Sequence, residues 1–513
     1  MTQPFYITTA ISYPNGPPHI GHAYEAIAAD VIARFQRSRG RDVLFQTGTD
    51  EHGLKMAQAA RDQGLEPLEL ATRMADLFRA MADGLDVSYD RFIRTTEPAH
   101  HRASQAIWQA MVDRGDVYLG RYEGWYSLRD EAFYDEKELV DGEGGQRLSP
   151  QGSPVEWTAE ESWFFRLSAY GERLLEHYRA NPDFIAPESR RNEVVNFVAG
   201  GLSDLSVSRT SFDWGVRVPD SETHVMYVWV DALTNYLTGA GYPDDANKLA
   251  RYWPADLHLI GKDIVRFHAV YWPAFLMSAG LPLPAQVFGH GFVLHRGEKM
   301  SKSVGNVVAP EALAERFGTD QFRYFLMREV PFGGDGSWSE EAIVTRVNAE
   351  LANGFGNLVQ RTLTLVSRRG AWPAPDGLAQ ADETLLAEVA GALGAMTEQM
   401  DALQLTAALE SWMRAVFACN RYVDEQAPWA LAKTDAERQG AVLATLLLAV
   451  RDMSIALAPF APCAAAKALD ALGAGERTHE SLGDRSWLRG ASESGEGPAK
   501  PTPLFPRLEL ETA

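Results

Sequence analysis

Two histidines, His19 and His22, stand three residues apart just past the run of turn formers Ser12-Tyr13-Pro14-Asn15-Gly16-Pro17-Pro18. Ring N–H groups in the first turn of a helix, beside its unpaired amides and positive dipole end, make a site for an anion such as a phosphate. Far along the chain, Lys299-Met300-Ser301-Lys302-Ser303, followed by Gly305-Asn306, holds two ammonium groups in a glycine-flanked loop. Such lysines can swing onto a triphosphate and offset the charge that builds on departing pyrophosphate. Taken alone, the histidines also read as satisfied groups at a helix start, and the lysines as a solvated basic turn.

These groups need elements to hold them. Residues 5–11 are β-branched and aromatic, residues 19–39 carry apolar side chains at helical spacing, and Gly40 ends that run, so the segment reads as strand, tight loop, helix. Residues 42–46 read as a second buried strand that leads through Gly48-Thr49-Asp50-Glu51-His52-Gly53 into another helix. Strand–helix alternation of this kind predicts a doubly wound parallel sheet, with ligands beyond the carboxyl ends of the strands, where Asp50 and the loop after Ile11 fall. From about Tyr118 the chain turns aromatic and turn-rich, which predicts an α+β insertion. Parallel-sheet character is expected to return at Met226-Tyr227-Val228-Trp229-Val230 and at 257–263. Leu385, Val389, Leu393, Met396, Met400 and Leu403 then form a helical stripe, and 442–450 a second apolar helix core, predicting a helix bundle.

Bulk properties fit an ordinary globular protein of several domains, with 513 residues of which 46% are hydrophobic. Net charge is −21, which argues against a strongly basic coat, although Arg34, Arg37, Arg39 and Arg41, Arg190-Arg191, and Arg368-Arg369 are local basic groups. Cys419 and Cys463 are the two cysteines, too far apart in sequence for a CxxC pair; a reducing cytoplasm is expected. No basic-then-apolar leader opens the chain, and the uncharged stretch between Arg266 and Arg296 is broken by Pro273, Gly280, Pro282 and Pro284, so no membrane span is expected.

Pro18-His19-Ile20-Gly21-His22 is the HIGH signature and 299–303 the KMSKS signature, and in this order and separation they resemble class I aminoacyl-tRNA synthetases. Several further segments resemble the methionyl-tRNA synthetase family: Ala10-Ile11-Ser12-Tyr13, the Gly48–Gly53 run, Tyr227 to Ala232, Tyr236, and Gly261-Lys262-Asp263-Ile264 with Phe267, His268 and Trp272. The resemblance implies an α/β fold: a doubly wound, Rossmann-like catalytic sheet interrupted by an α+β insertion, followed by an all-α helix bundle. It divides the chain into catalytic halves at 1–117 and 223–293, an insertion at 118–222, a KMSKS-loop and stem-contact region at 294–348, an anticodon-binding bundle at 349–489, and a linker and docking tail at 490–513.

It further implies methionine activation by ATP, which arrives with Mg2+, and transfer of methionine to tRNA(Met), initiator tRNA included. His19, Gly21, His22, Lys299, Ser301 and Lys302 would contact ATP, with His19, His22, Lys299 and Lys302 catalytic. Ala10, Ile11, Tyr13, Trp229, Ala232, Tyr236, Ile264, His268 and Trp272 would line the methionine site, and Asp50 would hold the ammonium. An aromatic slot suits a long, polarizable thioether. Spacing alone would equally make Trp229 and Trp272 core residues and His268 a satisfied core histidine. Asn357 and Arg361, four apart on one helix face, and Trp429 at a helix break would read the CAU anticodon; Trp429 by itself also fits a buried anchor.

Many relatives of this type bind zinc through cysteines in the insertion. Here Ser127 and Asp130 stand in the first knuckle and Ser149-Pro150 stands before Pro154-Val155-Glu156-Trp157, so a metal-free insertion is expected. The leucine, valine and isoleucine synthetases usually carry a far larger editing insertion, and the cysteine enzyme needs zinc-binding thiols; neither pattern is present. A tRNA-binding scaffold without catalysis is disfavoured by the intact histidines, aspartate and lysines. A monomer is expected.

Overall fold

The computed structural model describes residues 2–127, 129, 132–142, 145–298, 308–474, 477–493, 498 and 502–510. At its centre lies a parallel six-stranded sheet in the order Arg91–Arg94, Asp42–Thr49, Pro4–Thr9, Leu257–Gly261, Val287–His290, Ile185–Ala186. The first strand of the chain pairs on one side through Ile7 with Phe45 and on the other through Ile7 with Leu257. Strand order reverses there, and a crevice opens beyond its carboxyl end.

Strand side chains alternate between two cores, as the two-residue period requires. Phe5 and Ile7 face one core, shared with the helix Ile20–Ser38 and continuous with the helix bundle. Tyr6 faces the other, shared with Trp108, Ile260 and Trp272 and reaching into the insertion. The insertion is built on an antiparallel sheet in which Val117–Ser127 pairs with Glu156–Phe165 along its length. The short edge strand Ile185–Ala186 of the parallel sheet comes from within the stretch assigned to the insertion.

One expected strand is a helix. Val225–Met226 forms a brief antiparallel pair with Ser208–Arg209, and Val228–Gly239 is α-helical. A short apolar run buried on all sides has no period to distinguish strand from helix; here nearly every residue of that helix is buried.

The bundle carries the predicted stripe: Leu385, Val389, Leu393, Met396 and Met400 are the buried face of Gln380–Asp401. Leu403 lies past that helix with φ of 54°. Ala436–Leu457 is long and apolar enough to cross a membrane, but 94% of its most apolar window is buried inside the protein, as the central helix of the bundle. The tail docks back: Leu508 and Asn348 exchange two hydrogen bonds of 2.8 and 2.9 Å, and Phe505 is buried.

Candidate active site

Ile20–Ser38 begins with His19 as its N-cap, in the extended conformation at φ −135° and ψ 173°, just past Pro17-Pro18. The Gly21 amide donates to Nδ1 of His19 and the His19 amide to Nδ1 of His22, both at 3.1 Å, and the two rings stack 3.8 Å apart. A reciprocal capping box results, made of imidazoles. Gly21 suits this cap, because a Cβ there would lie 3.0 Å from Cε1 of His19 and press the ring aside.

The expectation of open amides joined by ring N–H groups is therefore modified. The rings cap two of those amides through Nδ1, so each neutral imidazole carries its proton on Nε2. Burial, reinforced by the neighbouring His19, pushes the pKa of His22 well below its ordinary value and keeps that ring neutral.

These rings border a cavity of about 550 Å³ at the carboxyl edge of the sheet. Ala10, Ile11, Tyr13, His19, Gly21, His22, Asp50, Trp229, Ala232, Tyr236, Ile264 and His268 all line it. Asp50 is placed by its own amide, which donates to Ser12 O at 2.9 Å, while the Ser12 amide donates to Gly48 O. A Cβ on Gly48 would fall 2.1 Å from Ile93 O, so the strands can approach this closely only with glycine there. Tyr13 is fixed by the Met56 amide, which donates to its hydroxyl at 3.1 Å.

Trp272 is the exception among the residues expected to line the methionine site. It lies behind the cavity, fully buried against Tyr236 and Trp253, each with ring centroids 6.1 Å away. Phe267–Tyr271 is a wide π turn, and His268 within it and Trp272 just past it both pack against Tyr236, with ring centroids 5.6 and 6.1 Å away. Phe267, quoted for resemblance but given no role, lines the cavity and stacks on Trp229 at 3.7 Å.

The floor of the slot is a neutral polar chain. His268 Nδ1–H donates to Ile264 O at 3.0 Å, leaving Nε2 to accept the Tyr236 hydroxyl proton at 2.6 Å. Burial lowers the pKa of His268 to about 4. The helix bearing Trp229, Ala232 and Tyr236 is pinned through Asp231, which His52 and His100 approach at 2.6 and 2.7 Å. Burial opposes ionisation of Asp231, but the two imidazoles outweigh it and hold the carboxyl well below the usual range.

Sequence reasoning missed the opposite wall. Glu25 and His290 meet at 2.8 Å, and with Asp263 they border the cavity. Burial raises the pKa of Glu25; burial would lower that of His290, but the hydrogen bond to Glu25 raises it. Glu25 follows His22 by three positions on a mostly apolar helix, and that spacing was the available signal. Lys55 and Arg129 also reach the rim. Lys299, Ser301 and Lys302 lie outside the described residues; Phe292 and Val293, just before them in sequence, line the cavity.

In the bundle, Asn357 is exposed at the start of Asn357–Arg369. The Arg361 guanidinium lies 5.4 Å from the Trp429 ring centroid and 3.3 Å from Asp424. Trp429 is 46% exposed, so it is not a buried anchor. In the insertion, Ser127 and Ser149 are buried, and Ser149 Oγ accepts from the amides of Gln151 and Ser153 at 3.2 Å each. Asp130 lies outside the described residues. Among the described residues no group of three or more His, Cys, Asp or Glu side chains could hold a metal.

The family model of class I tRNA synthetases (M) matches residues 5–363, and that of the anticodon-binding domain of methionyl tRNA ligase matches 372–512. The chain belongs to the class I tRNA synthetases, in their methionine branch. Methionine–tRNA ligase of Brucella suis biovar 1 is 56% identical over 507 residues, 98% of each chain. That of Mycobacterium tuberculosis is 55% identical over 519 residues, covering 99% of this chain and 98% of the relative. The M. tuberculosis methionyl-tRNA synthetase complexed with methionyl-adenylate superposes with a TM-score of 0.94 at 54% identity, over 99% of this chain and 100% of that one. Its apo form gives 0.89 at 50% identity, over 99% of each.

Within this synthetase site the neutral His268 has a measurable consequence. With its folded pKa near 4 and an ordinary value of 6.5, the unfolded chain takes up the proton first, so the neutral ring's stabilisation is present above pH 6.5 and lost as pH falls toward 4. The loss attributable to this ring is about 3 kcal/mol. Denaturant midpoints at pH 7 and pH 5 should therefore differ less in His268→Asn than in the parent; equal acid sensitivity would contradict the assignment.

Proposed function

We propose that this chain activates L-methionine with ATP to give methionyl adenylate and pyrophosphate, then transfers the methionyl group to the 3′-terminal adenosine of tRNA(Met). The observation that carries this reading is the single cavity bordered at once by the stacked His19 and His22 rings and by the Trp229–Tyr236–His268 slot.

The thioether packs against Trp229, Ala232, Tyr236, Ile264 and His268, with dispersion and sulfur–aromatic contact as the main attraction. Because the Tyr236 proton is committed to His268, that hydroxyl turns lone pairs toward the slot. The donor to sulfur is then the Ile11 amide. Asp50 holds the ammonium and Ala10 borders the substrate backbone. Trp272 supports the slot from behind Tyr236 and does not touch the substrate.

ATP arrives with Mg2+, and the Nε2–H groups of His19 and His22 contact its phosphates beside Gly21. The methionine carboxylate attacks the α-phosphorus in line and pyrophosphate leaves; Lys302, with Lys299 and Ser301, offsets the charge on the leaving group. Glu25, His290 and Asp263 offer hydrogen-bonding partners to ribose hydroxyls. In the second step a hydroxyl of the terminal adenosine attacks the adenylate carbonyl and AMP departs. No protein nucleophile takes part.

Asn357, Arg361 and Trp429 stack on and hydrogen-bond to the splayed anticodon bases of elongator and initiator tRNA. The insertion works without zinc: a serine hydroxyl is a poor zinc ligand, and Ser149 Oγ already accepts two amides. The protein acts as a cytoplasmic monomer. The domain boundaries given above follow from the same reading, except that Ile185–Ala186, within 118–222, belongs to the catalytic sheet.

Pyrophosphate exchange across the amino acids tests the substrate: methionine should be fastest, and faster exchange with leucine would overturn the assignment. Lys302→Ala should slow exchange roughly 10²–10³-fold with tRNA affinity nearly unchanged; equal losses in both would remove its leaving-group role. Trp429→Ala should weaken tRNA charging by about 1–3 kcal/mol while sparing exchange, and unimpaired charging would take Trp429 out of the interface.

A further inference from the structure

Arg323 is a fully buried cation outside the cavity lining, on the helix Thr319–Glu329. Its NH2 donates to Asp30 Oδ2 at 2.6 Å and to Pro459 O at 3.0 Å, its Nε to Phe460 O at 3.2 Å, and its NH1 to Leu85 O at 3.0 Å and Asp86 O at 3.3 Å. Those four carbonyls lie just past the carboxyl ends of two helices, Pro67–Gly84 in the catalytic part and Ala436–Leu457 in the bundle. A guanidinium is matched to the negative end of each.

Three residues earlier on the same helix, Asp320 Oδ2 accepts the Ala464 amide at 2.5 Å, in the first turn of Pro462–Leu472. One helix face thus grips the bundle's turn 458–461 from both sides, with arginine on the helix end that is negative and aspartate on the helix start that is positive.

Each end of this tie leads to a site. Asp30 lies eight positions beyond His22 on the histidine-capped helix and also accepts from Arg34 and Ser88. Ala436–Leu457 is a buried rod of 22 residues, about 33 Å long at 1.5 Å per residue. Its far end meets the anticodon cluster, where Gln439 donates to Pro428 O, next to Trp429, and Arg438 to Gln426. Arg369, at the end of the helix that carries Asn357 and Arg361, donates to Ala436 O.

Removing a guanidinium and a carboxylate from water is costly, and such a pair is weak as a source of stability alone. What it supplies here is a fixed geometry among four segments that an apolar side chain could not tie. We propose that Arg323, with Asp320 and Asp30, is the positioning joint that fixes the bundle against the histidine-bearing helix, so that a tRNA held by its anticodon delivers its 3′ end to the adenylate. This inference rests on the synthetase reading above. Arg323 acts through the helices it joins and touches no substrate.

The test compares the full-length protein with Arg323→Lys, which keeps the charge but loses the fork, and Asp320→Ala, which releases only the bundle side. Three rates are measured for each: methionine-dependent pyrophosphate exchange, charging of full-length tRNA, and charging of an acceptor-stem minihelix that lacks the anticodon. Both variants should lose roughly tenfold in charging of full-length tRNA, with exchange, minihelix charging and the Kd for tRNA unchanged. A parallel fall in all three rates would assign Arg323 a general structural role, and full retention of tRNA charging would assign it none in transfer; either overturns the joint. If Arg323→Lys does not fold, the Asp320→Ala rates decide alone. Failure of the parent itself to support exchange or charging would strike the synthetase reading and is seen before any variant is compared.

Discussion

A helix that opens at the carboxyl edge of a sheet must satisfy its first amides, and in this protein two imidazoles do so. His19 and His22 cap the helix through Nδ1, which fixes their tautomers, stacks their rings and leaves the ring protons on Nε2. The same bonds that start the helix thereby hold both rings at the border of the cavity. The close fit of Gly21 beneath the His19 ring ties the signature's glycine to that cap, since any side chain there would crowd the ring.

The rest of the cavity shows the same economy of protons. Tyr236 donates to His268, His268 donates to Ile264 O, and burial keeps the imidazole neutral, so the slot for an apolar side chain has polar walls without charge. The ionisable side chains Asp50, Glu25, His290 and Asp263 border the same space outside that slot. Asp231, locked between His52 and His100, holds the wall helix in register with the Asp50 loop.

Much of this was legible from the chain. Strand–loop–helix at 5–39 and the stripe along Gln380–Asp401 follow from local period, and the histidine and lysine signatures are contiguous in sequence. Three features were not legible, each for a physical reason. Val228–Gly239 is buried all round, so it shows no period that separates helix from strand. Trp272 packs behind Tyr236 against Trp253, and helical spacing does not announce on which side of a neighbouring ring a buried aromatic lies. The Glu25–His290 and Asp30–Arg323 pairs join residues 265 and 293 positions apart, and no local pattern announces a long-range ion pair.

The central claim is that one cavity holds the phosphate at the imidazoles and the sulfur in the aromatic slot simultaneously. A crystal structure with a non-hydrolysable methionyl-adenylate analogue tests it most directly. The phosphate mimic should lie within hydrogen-bonding distance of Nε2 of His19 and His22, with the thioether against Trp229 and Tyr236. An analogue bound elsewhere, or bound here with its sulfur outside that slot, would contradict the account.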